Sequence, residues 1–453
     1  MRPQQNPKFS ILVIYAPSQT FTSTVYDHVS CFEKYSENAF YYLDFEDLRS
    51  EQVDLTLFDV VIVHYSVRLP FGNVCDVGEK KLRAFKGLKI LFIQDEYDHT
   101  NRAKEVIRQA SFQIVFTVVP PKFIDLIYPP AELPGVTFVN NLTGYVPDLP
   151  ISFLNEYIPP SQRQCVIAYR GRPLPIRYGQ LGYEKLQIGK ETKAYCEANQ
   201  IAHDISWTEN ARIYGDAWYQ FISSSKAMLG SESGSNVFNW DGRLQEKIDN
   251  YKSLNRGVSD AEIYTAVIAP LELPGVMNQI SPRVFEMAAM RTVMVLFEGD
   301  YSDVLIPNRH YIPLKKDFSN LEEVFSTLGD GEKIDAMVSD TFDDIIGSEQ
   351  YSYRAFVNFV DQHIASAFDK GSYMTASSNL DEYRSRVKLI KVSAAKVSPP
   401  TVSPSAFSPS AFSLPTFSLP TADYFLLNPA VRWLWKRVPS ALKPRIKRLL
   451  GRV

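Results

Sequence analysis

Twice along this chain, short runs of β-branched and aromatic residues alternate with segments long enough for a helix. Residues 9–15 (FSILVIY), 60–65 (VVIVHY), 89–94 (KILFIQ) and 113–119 (QIVFTVV) are nearly continuous in apolar character. Strands apolar on both faces belong in a parallel sheet covered by helices on either side, so the first 150 or so residues read as a Rossmann-like domain. Prolines 147, 150, 159 and 160 then mark a linker. A second series follows, with strands expected at 165–169, 202–206, 227–229 and 293–297 and helices at 183–199, 216–224 and 283–290. Residues 351–368 have helical apolar spacing and are expected to pack back on the first domain. At 453 residues the chain is too long for a single core, in keeping with two domains.

The net charge of −3 conceals a partition. Residues 424–453 contain Arg432, Lys436, Arg437, Lys443, Arg445, Lys447, Arg448 and Arg452 with no acid, which leaves the rest of the chain at −11. An acidic body gives no reason to expect a nucleic-acid partner, whereas a tail of opposite sign has its own. Before the tail, residues 398–422 carry no charge and six prolines, in the repeating units SPSAF, SPSAF, SLPTF and SLPTA. Prolines at this density remove backbone donors, so residues 390–422 read as a linker. In the tail, Leu434, Val438, Leu442, Ile446 and Leu450 recur every four residues beside basic positions, with Pro439 and Pro444 as breaks. Short interfacial helices follow, with Trp433 and Trp435 near lipid headgroups and Arg432, Lys436, Arg437, Lys447 and Arg448 facing an anionic membrane. A solvated tail, or one docked on an acidic protein, is the plainer alternative. No apolar run is long enough to span a bilayer, no signal peptide is evident, and the four cysteines (Cys31, Cys75, Cys165, Cys196) lie far apart. A cytoplasmic protein, peripheral on the inner face of the cell membrane, is expected.

The most informative segment is residues 281–314, SPRVFEMAAMRTVMVLFEGDYSDVLIPNRHYIPL. Ser281 can cap a helix and Pro282 can occupy its first turn, leaving Arg283 and Glu286 three residues apart on one face. A helix N-terminus attracts phosphate, Arg283 adds a charged fork, and a carboxylate one turn deeper can accept both hydroxyls of a ribose. The same spacing also suits a surface Arg–Glu pair.

The succession P-R-V-F-E, small residues, a strand ending in Glu, then Y-S and H-Y-I-P-L resembles the C-terminal domain of family-1-like GT-B glycosyltransferases, including relatives of spore-maturation proteins. The resemblance covers residues 160–370; before that it rests on architecture. It implies an α/β protein of two facing Rossmann-like domains. Residues 1–158 would be the acceptor domain and 159–348 the nucleotide-sugar donor domain. A closing helical segment (349–385), the linker (390–422) and the basic tail (423–453) complete the chain. Carried over, Glu286 stands at the donor ribose and Arg283 beside the diphosphate. Two departures stand out: Asn278 occupies the place of a second glutamate common in retaining relatives, and Arg291 replaces the usual glycine after the helix.

Other candidates follow from position. Residues 227–235 read as a strand entering a small-residue loop, where backbone N–H groups can approach phosphate or sugar; Glu232, Ser233 and Gly234 are donor-site candidates there. An ordinary tight turn would look the same. Arg170 and Arg172 follow the first strand of the second domain and Lys185 lies one helix on; an Arg/Lys pair would neutralise the diphosphate. In the first domain, the loop at 16–24 has no glycine, which argues against a dinucleotide fingerprint. Asp95 is the first candidate for a base on the acceptor hydroxyl, followed by His64 and His99, although each also suits a structural role. The D-x-D clamp of GT-A enzymes is missing, as are the H-E-x-x-H, Walker A and G-x-S-x-G motifs, and the six histidines show no metal-ligand spacing. A metal-independent glycosyltransferase is expected, with a nucleotide-sugar as co-substrate, no other cofactor, and a saccharide acceptor, lipid-linked by expectation. A non-catalytic GT-B-like scaffold that binds nucleotide or glycan is the alternative.

Overall fold

A computed structural model of the protein describes residues 8–74, 76–148 and 157–370. Cys75, the 390–422 segment and the tail, with Arg432, Trp433, Trp435, Lys436, Arg437, Lys447 and Arg448, lie outside the described residues.

In the first half, strands β1 (Ser10–Tyr15), β2 (Ala39–Asp44), β3 (Val60–Val63), β4 (Leu88–Phe92), β5 (Ile114–Thr117) and β6 (Thr137–Asn140) form one sheet. Its order is β2-β1-β3-β4-β5-β6 and each pairing is parallel. Helices α1 (Ser23–Tyr35), α2 (Asp76–Ala84), α3 (Thr100–Ala110) and α4 (Ile124–Ile127) connect them. Because side chains alternate along a strand, Leu12, Ile14, Val61, Val63 and Leu91 enter one core, while Ile11, Val13, Ile62, Ile90 and Phe92 enter another on the opposite face. Covering both faces is why these strands carry no polar alternation.

The second half repeats the plan with β7 (Cys165–Arg170), β8 (His203–Ser206), β9 (Ser225–Gly230), β10 (Val293–Phe297) and β11 (Ile312–Leu314) in the order β11-β10-β9-β7-β8, again parallel. Its helices are α5 (Gly179–Ala198), α6 (Asp216–Ser223), α7 (Leu244–Leu254), α8 (Asp260–Ile263), α9 (Pro282–Ala289), α10 (Leu321–Gly329) and α11 (Gly331–Thr341). Helix α12 (Tyr353–Lys370) then returns to the first half, where Tyr353, Phe356, Val357, Val360 and Ile364 share a core with Ile11 and Phe92. Two facing Rossmann-like halves make this a GT-B architecture. Among the described residues no helix is long and apolar enough to cross a membrane.

The halves also meet through the chain between β9 and α9. Phe238, Val276 and Met277 from that stretch are buried in the core of the first half. Asn239 N–H donates to the Tyr97 carbonyl at 2.7 Å and Asn101 N–H to the Trp240 carbonyl at 3.0 Å. In the second sheet the connections run in opposite directions from β7, towards β8 on one side and β9 on the other, so the loops after β7 and β9 part and leave a crevice at their carboxyl ends.

Candidate functional site

That crevice collects cations. Arg172 lies just beyond the end of β7. Lys185, in the second turn of α5, reaches back so that its Nζ donates to Ser233 Oγ, at 3.3 Å, in the loop after β9. Burial, then the nearby Arg283 and Arg172, hold the Lys185 ammonium down to about 8, with Asp95 of the first half acting in the opposite sense. Asp95, of the first half, is thus close enough to Lys185 to raise its affinity for a proton. Arg283, in the first turn of α9, is held by rings: its guanidinium lies 5.1 Å from the Trp218 ring centroid and 5.7 Å from that of Tyr169. Three cations thus gather with a neutral hydroxyl and aromatic faces around them.

One turn along α9, Glu286 accepts from Trp218 Nε1 at 2.8 Å. Burial raises its carboxyl above the usual range, while the Trp218 bond and Arg283 oppose the rise. Ser281 occupies the N-cap position with Pro282 in the first turn, but the Ser281 side chain makes no capping bond. Nearby in α1, Asp27 is lifted to about 7 by burial, with Asp148 and Glu286 adding to the effect and Lys34 opposing it. Tyr219 of α6 lies close by as well: its hydroxyl is pushed up chiefly by burial, with Glu286 and Asp27 adding to the effect.

Glu232 is committed to the protein. Its Oε1 accepts from Asp300 N (3.1 Å) and Tyr301 N (3.0 Å), and its Oε2 from Asn278 Nδ2 (2.5 Å). The loop it holds is strained: Tyr301, Ser302 and Asp303 follow one another at φ 44°, 54° and 59°, a left-handed turn without glycine. Asn278 bridges Glu232 to Asn236, donating its Nδ2 to Glu232 Oε2 and accepting from Asn236 Nδ2 at 2.8 Å. Gly234, at φ +96°, packs its bare Cα against Met277, where a Cβ would come within 2.1 Å of the carbonyl oxygen. Its glycine is explained by that contact.

Three sequence candidates stand apart from the cation cluster. Arg170 donates to the Ala211, Tyr169 and Asp204 carbonyls and to the Asp204 carboxylate, and stacks 4.1 Å over Phe221, so its fork is occupied by the edge of its own sheet. His64 is wholly buried against His28 of α1. Its Nε2 meets His28 Nδ1 at 3.0 Å, its Nδ1 meets Ser66 Oγ at 2.9 Å, and burial keeps the ring neutral. His99, at φ +55°, occupies the N-cap position of α3 without a side-chain capping bond and wedges between Phe71, at 4.7 Å, and Gly242. By contrast Asp95 is exposed at the end of β4, in the left-handed region (φ +61°), and accepts from Tyr97 OH at 2.8 Å. Asp27, Trp218 and the Arg177–Asp98–Asn239 bridge between the halves (3.2 and 2.6 Å) had no signal in the sequence, since their partners come from distant segments.

No protein-family model matches the chain, and no curated protein does. Among solved structures it is similar to HepE of Anabaena in complex with UDP and glucose, at 9% identity over 79% of this chain and 100% of that one, with a TM-score of 0.44. An α1,3-fucosyltransferase matches at 11% identity over 81% of this chain and 92% of that one (TM-score 0.37). TarM matches at 10% identity over 67% of this chain (TM-score 0.38), and the match spans about half of TarM's length, 54%.

Proposed function

We propose that the protein transfers a glycosyl group from a nucleotide-sugar to a saccharide acceptor without a metal. The observation that carries this is Lys185: a lysine whose affinity for its proton is depressed by burial and then by two neighbouring arginines, with its Nζ on the Ser233 hydroxyl, at the switch point of a parallel sheet. Like charges are gathered this way at a cost that a bound polyanion offsets. A diphosphate seated between Lys185, Arg283 and Arg172 would leave Glu286 one helical turn away for the ribose hydroxyls. As the bond from the sugar C1 to phosphate breaks, the electron pair leaves on the diphosphate, where these cations stabilise the growing charge. A bond forms from the acceptor oxygen to C1, and Asp95 receives the hydroxyl proton. Glu232 supports the site by holding the 300–303 turn. The basic tail would bring the protein to an anionic lipid surface, where a lipid-linked acceptor resides.

Calorimetry with UDP-, GDP-, ADP- and dTDP-sugars tests the donor site. One of them should bind, and Lys185→Ala or Glu286→Ala should weaken it about thirtyfold, the worth of a charge-assisted hydrogen bond of roughly 2 kcal/mol. Because only the ammonium form holds phosphate, affinity should fall as pH rises through about 8, and Lys185→Arg should remove that fall. Absence of heat from every donor, or binding indifferent to these substitutions, would refute the proposal.

A further inference from the structure

Arg283 and Glu286 lie one turn apart on α9, a spacing at which opposite charges commonly pair. Here neither joins an ion pair among the described residues, and Trp218 engages both instead. Its indole N–H donates to Glu286 Oε2 at 2.8 Å, while the Arg283 guanidinium lies 5.1 Å from the ring centroid. The N–H points along the plane of the indole and the attractive face lies perpendicular to it, so one ring serves both groups without conflict. Glu286 Oε1 accepts from no described residue, and Trp218, Arg283 and Glu286 are each part-exposed. A ligand can therefore reach all three.

The chain takes some trouble to place this ring. Helix α6 opens on Gly215 at φ +60° and ψ −145°, a backbone conformation that a side chain excludes. Trp218, Phe221 and Ile222 then share one face of the helix and pack in one core with Val284 and Met287 of α9. Phe221 stacks on Trp218 with centroids 5.8 Å apart, and Arg170 lies 4.1 Å over Phe221 while its fork is tied to Asp204. The succession Arg283, Trp218, Phe221, Arg170 runs from the donor residues to the edge of the sheet. A phenyl ring would meet the packing; the indole adds a donor at its edge.

We propose that Trp218 is a positioning residue for the donor nucleotide, an inference that rests on the donor assignment above. It keeps Arg283 and Glu286 from pairing with each other, so that the guanidinium serves the diphosphate and Glu286 Oε1 serves a ribose hydroxyl. Without the ring the two charges would meet at their i, i+3 spacing, and that pair would have to open before a nucleotide bound. With it, both groups are held in place beforehand, Glu286 by the N–H and Arg283 by the face. Trp218 acts through these two side chains. Arg170, whose fork is occupied, contributes as the far support of the stack.

Calorimetry on the full chain, with whichever of UDP, GDP, ADP or dTDP binds, tests this through two ratios. Affinity for the nucleotide over its 2′,3′-dideoxy counterpart reads Glu286, and affinity for the diphosphate over the monophosphate reads Arg283. Trp218→Phe keeps the face and loses the N–H, so it should lower the first ratio about tenfold and leave the second unchanged. Trp218→Leu loses both and should lower the second ratio as well, about fourfold. A ring that only packs would, when replaced, weaken every ligand alike; unchanged ratios beside binding that still depends on Lys185 would overturn the role of Trp218 alone. Should both variants unfold, the indole N–H signals of the natural protein decide. The nucleotide should move one of the five, and Glu286→Gln should move the same one with no nucleotide present; the absence of a common signal would overturn the proposal. Failure of every nucleotide to bind would overturn the donor assignment first.

Discussion

Glu96 shows how burial and chemistry part company in this protein. It is 1% exposed, accepts from Thr117 Oγ1 at 2.5 Å and Val118 N at 3.1 Å, and is pushed up to about 7 chiefly by burial. Its folded value lies above the ordinary 4.5, so the folded state holds a proton that the unfolded state has released. The stability this confers is complete below about 4.5 and is lost as pH rises to about 7, on the order of 3 kcal/mol. Asp27, also raised to about 7, acts in the same direction, whereas His28, lowered to about 3, acts in the opposite one. Only a difference measurement isolates Glu96. Glu96→Gln cannot ionise and should gain melting temperature relative to the natural protein between pH 5 and pH 8; parallel curves would show that Glu96 keeps its charge. At this scale the sequence revealed residue types but not their partners. Ser233 was legible as part of a loop after a predictable strand, Arg283 and Glu286 as one face of a helix opened by Ser281 and Pro282, and Lys185 as a cation on the helix after the first strand of the second half. The His28 partner of His64 and the occupied fork of Arg170 were not, because α1 and Asp204 come from other segments of the chain.

The elements divide in the same way. Strands buried on both faces announced themselves through continuous apolar runs, as in β1, β3, β4 and β5. Of the edge strands only β8 was expected, at 202–206; β6 is a four-residue TFVN with Thr137 exposed, and β11 is an IPL with a proline that only an edge tolerates. The stretch from 236 to 277 was equally silent, because its apolar residues are divided: Phe238, Val276 and Met277 serve the other half, while Val237, Leu244, Ile248, Ile263 and Ile268 make a small cluster of their own. Phe238 is wholly buried among first-half residues, and the backbone on either side of it is tied to Leu271 and Tyr97. Removing such a ring typically costs about 3–5 kcal/mol. Phe238→Ala should therefore destabilise the protein by that order and, more tellingly, speed amide exchange across α3 and β4, which lie far from it in sequence. Exchange that rises only in the second half would mean that the halves are not joined by this segment.

For the whole molecule, the separation of charge sets the prediction of where the proposed chemistry would take place. A body at −11 is repelled by anionic lipid, so any attraction has to come from the eight basic side chains of the tail. Each is worth about 1 kcal/mol near an anionic surface, so eight sum to roughly the free energy of micromolar binding and four to that of millimolar binding. The dependence on number is steep: changing Lys443, Arg445, Lys447 and Arg448 to Gln should weaken binding to phosphatidylserine vesicles about a thousandfold. Removing residues 423–453 should abolish it, with nucleotide-sugar binding at Lys185 and Glu286 unaffected. Raising salt from about 0.1 to 1 M shortens the screening length from roughly 10 to 3 Å and should release the intact protein as well. Vesicle pelleting that survives deletion of the tail would place the membrane contact on the acidic body, against its charge. Pelleting that survives high salt but not the deletion would assign the attraction to Trp433, Trp435 and the leucine stripe instead of the cations.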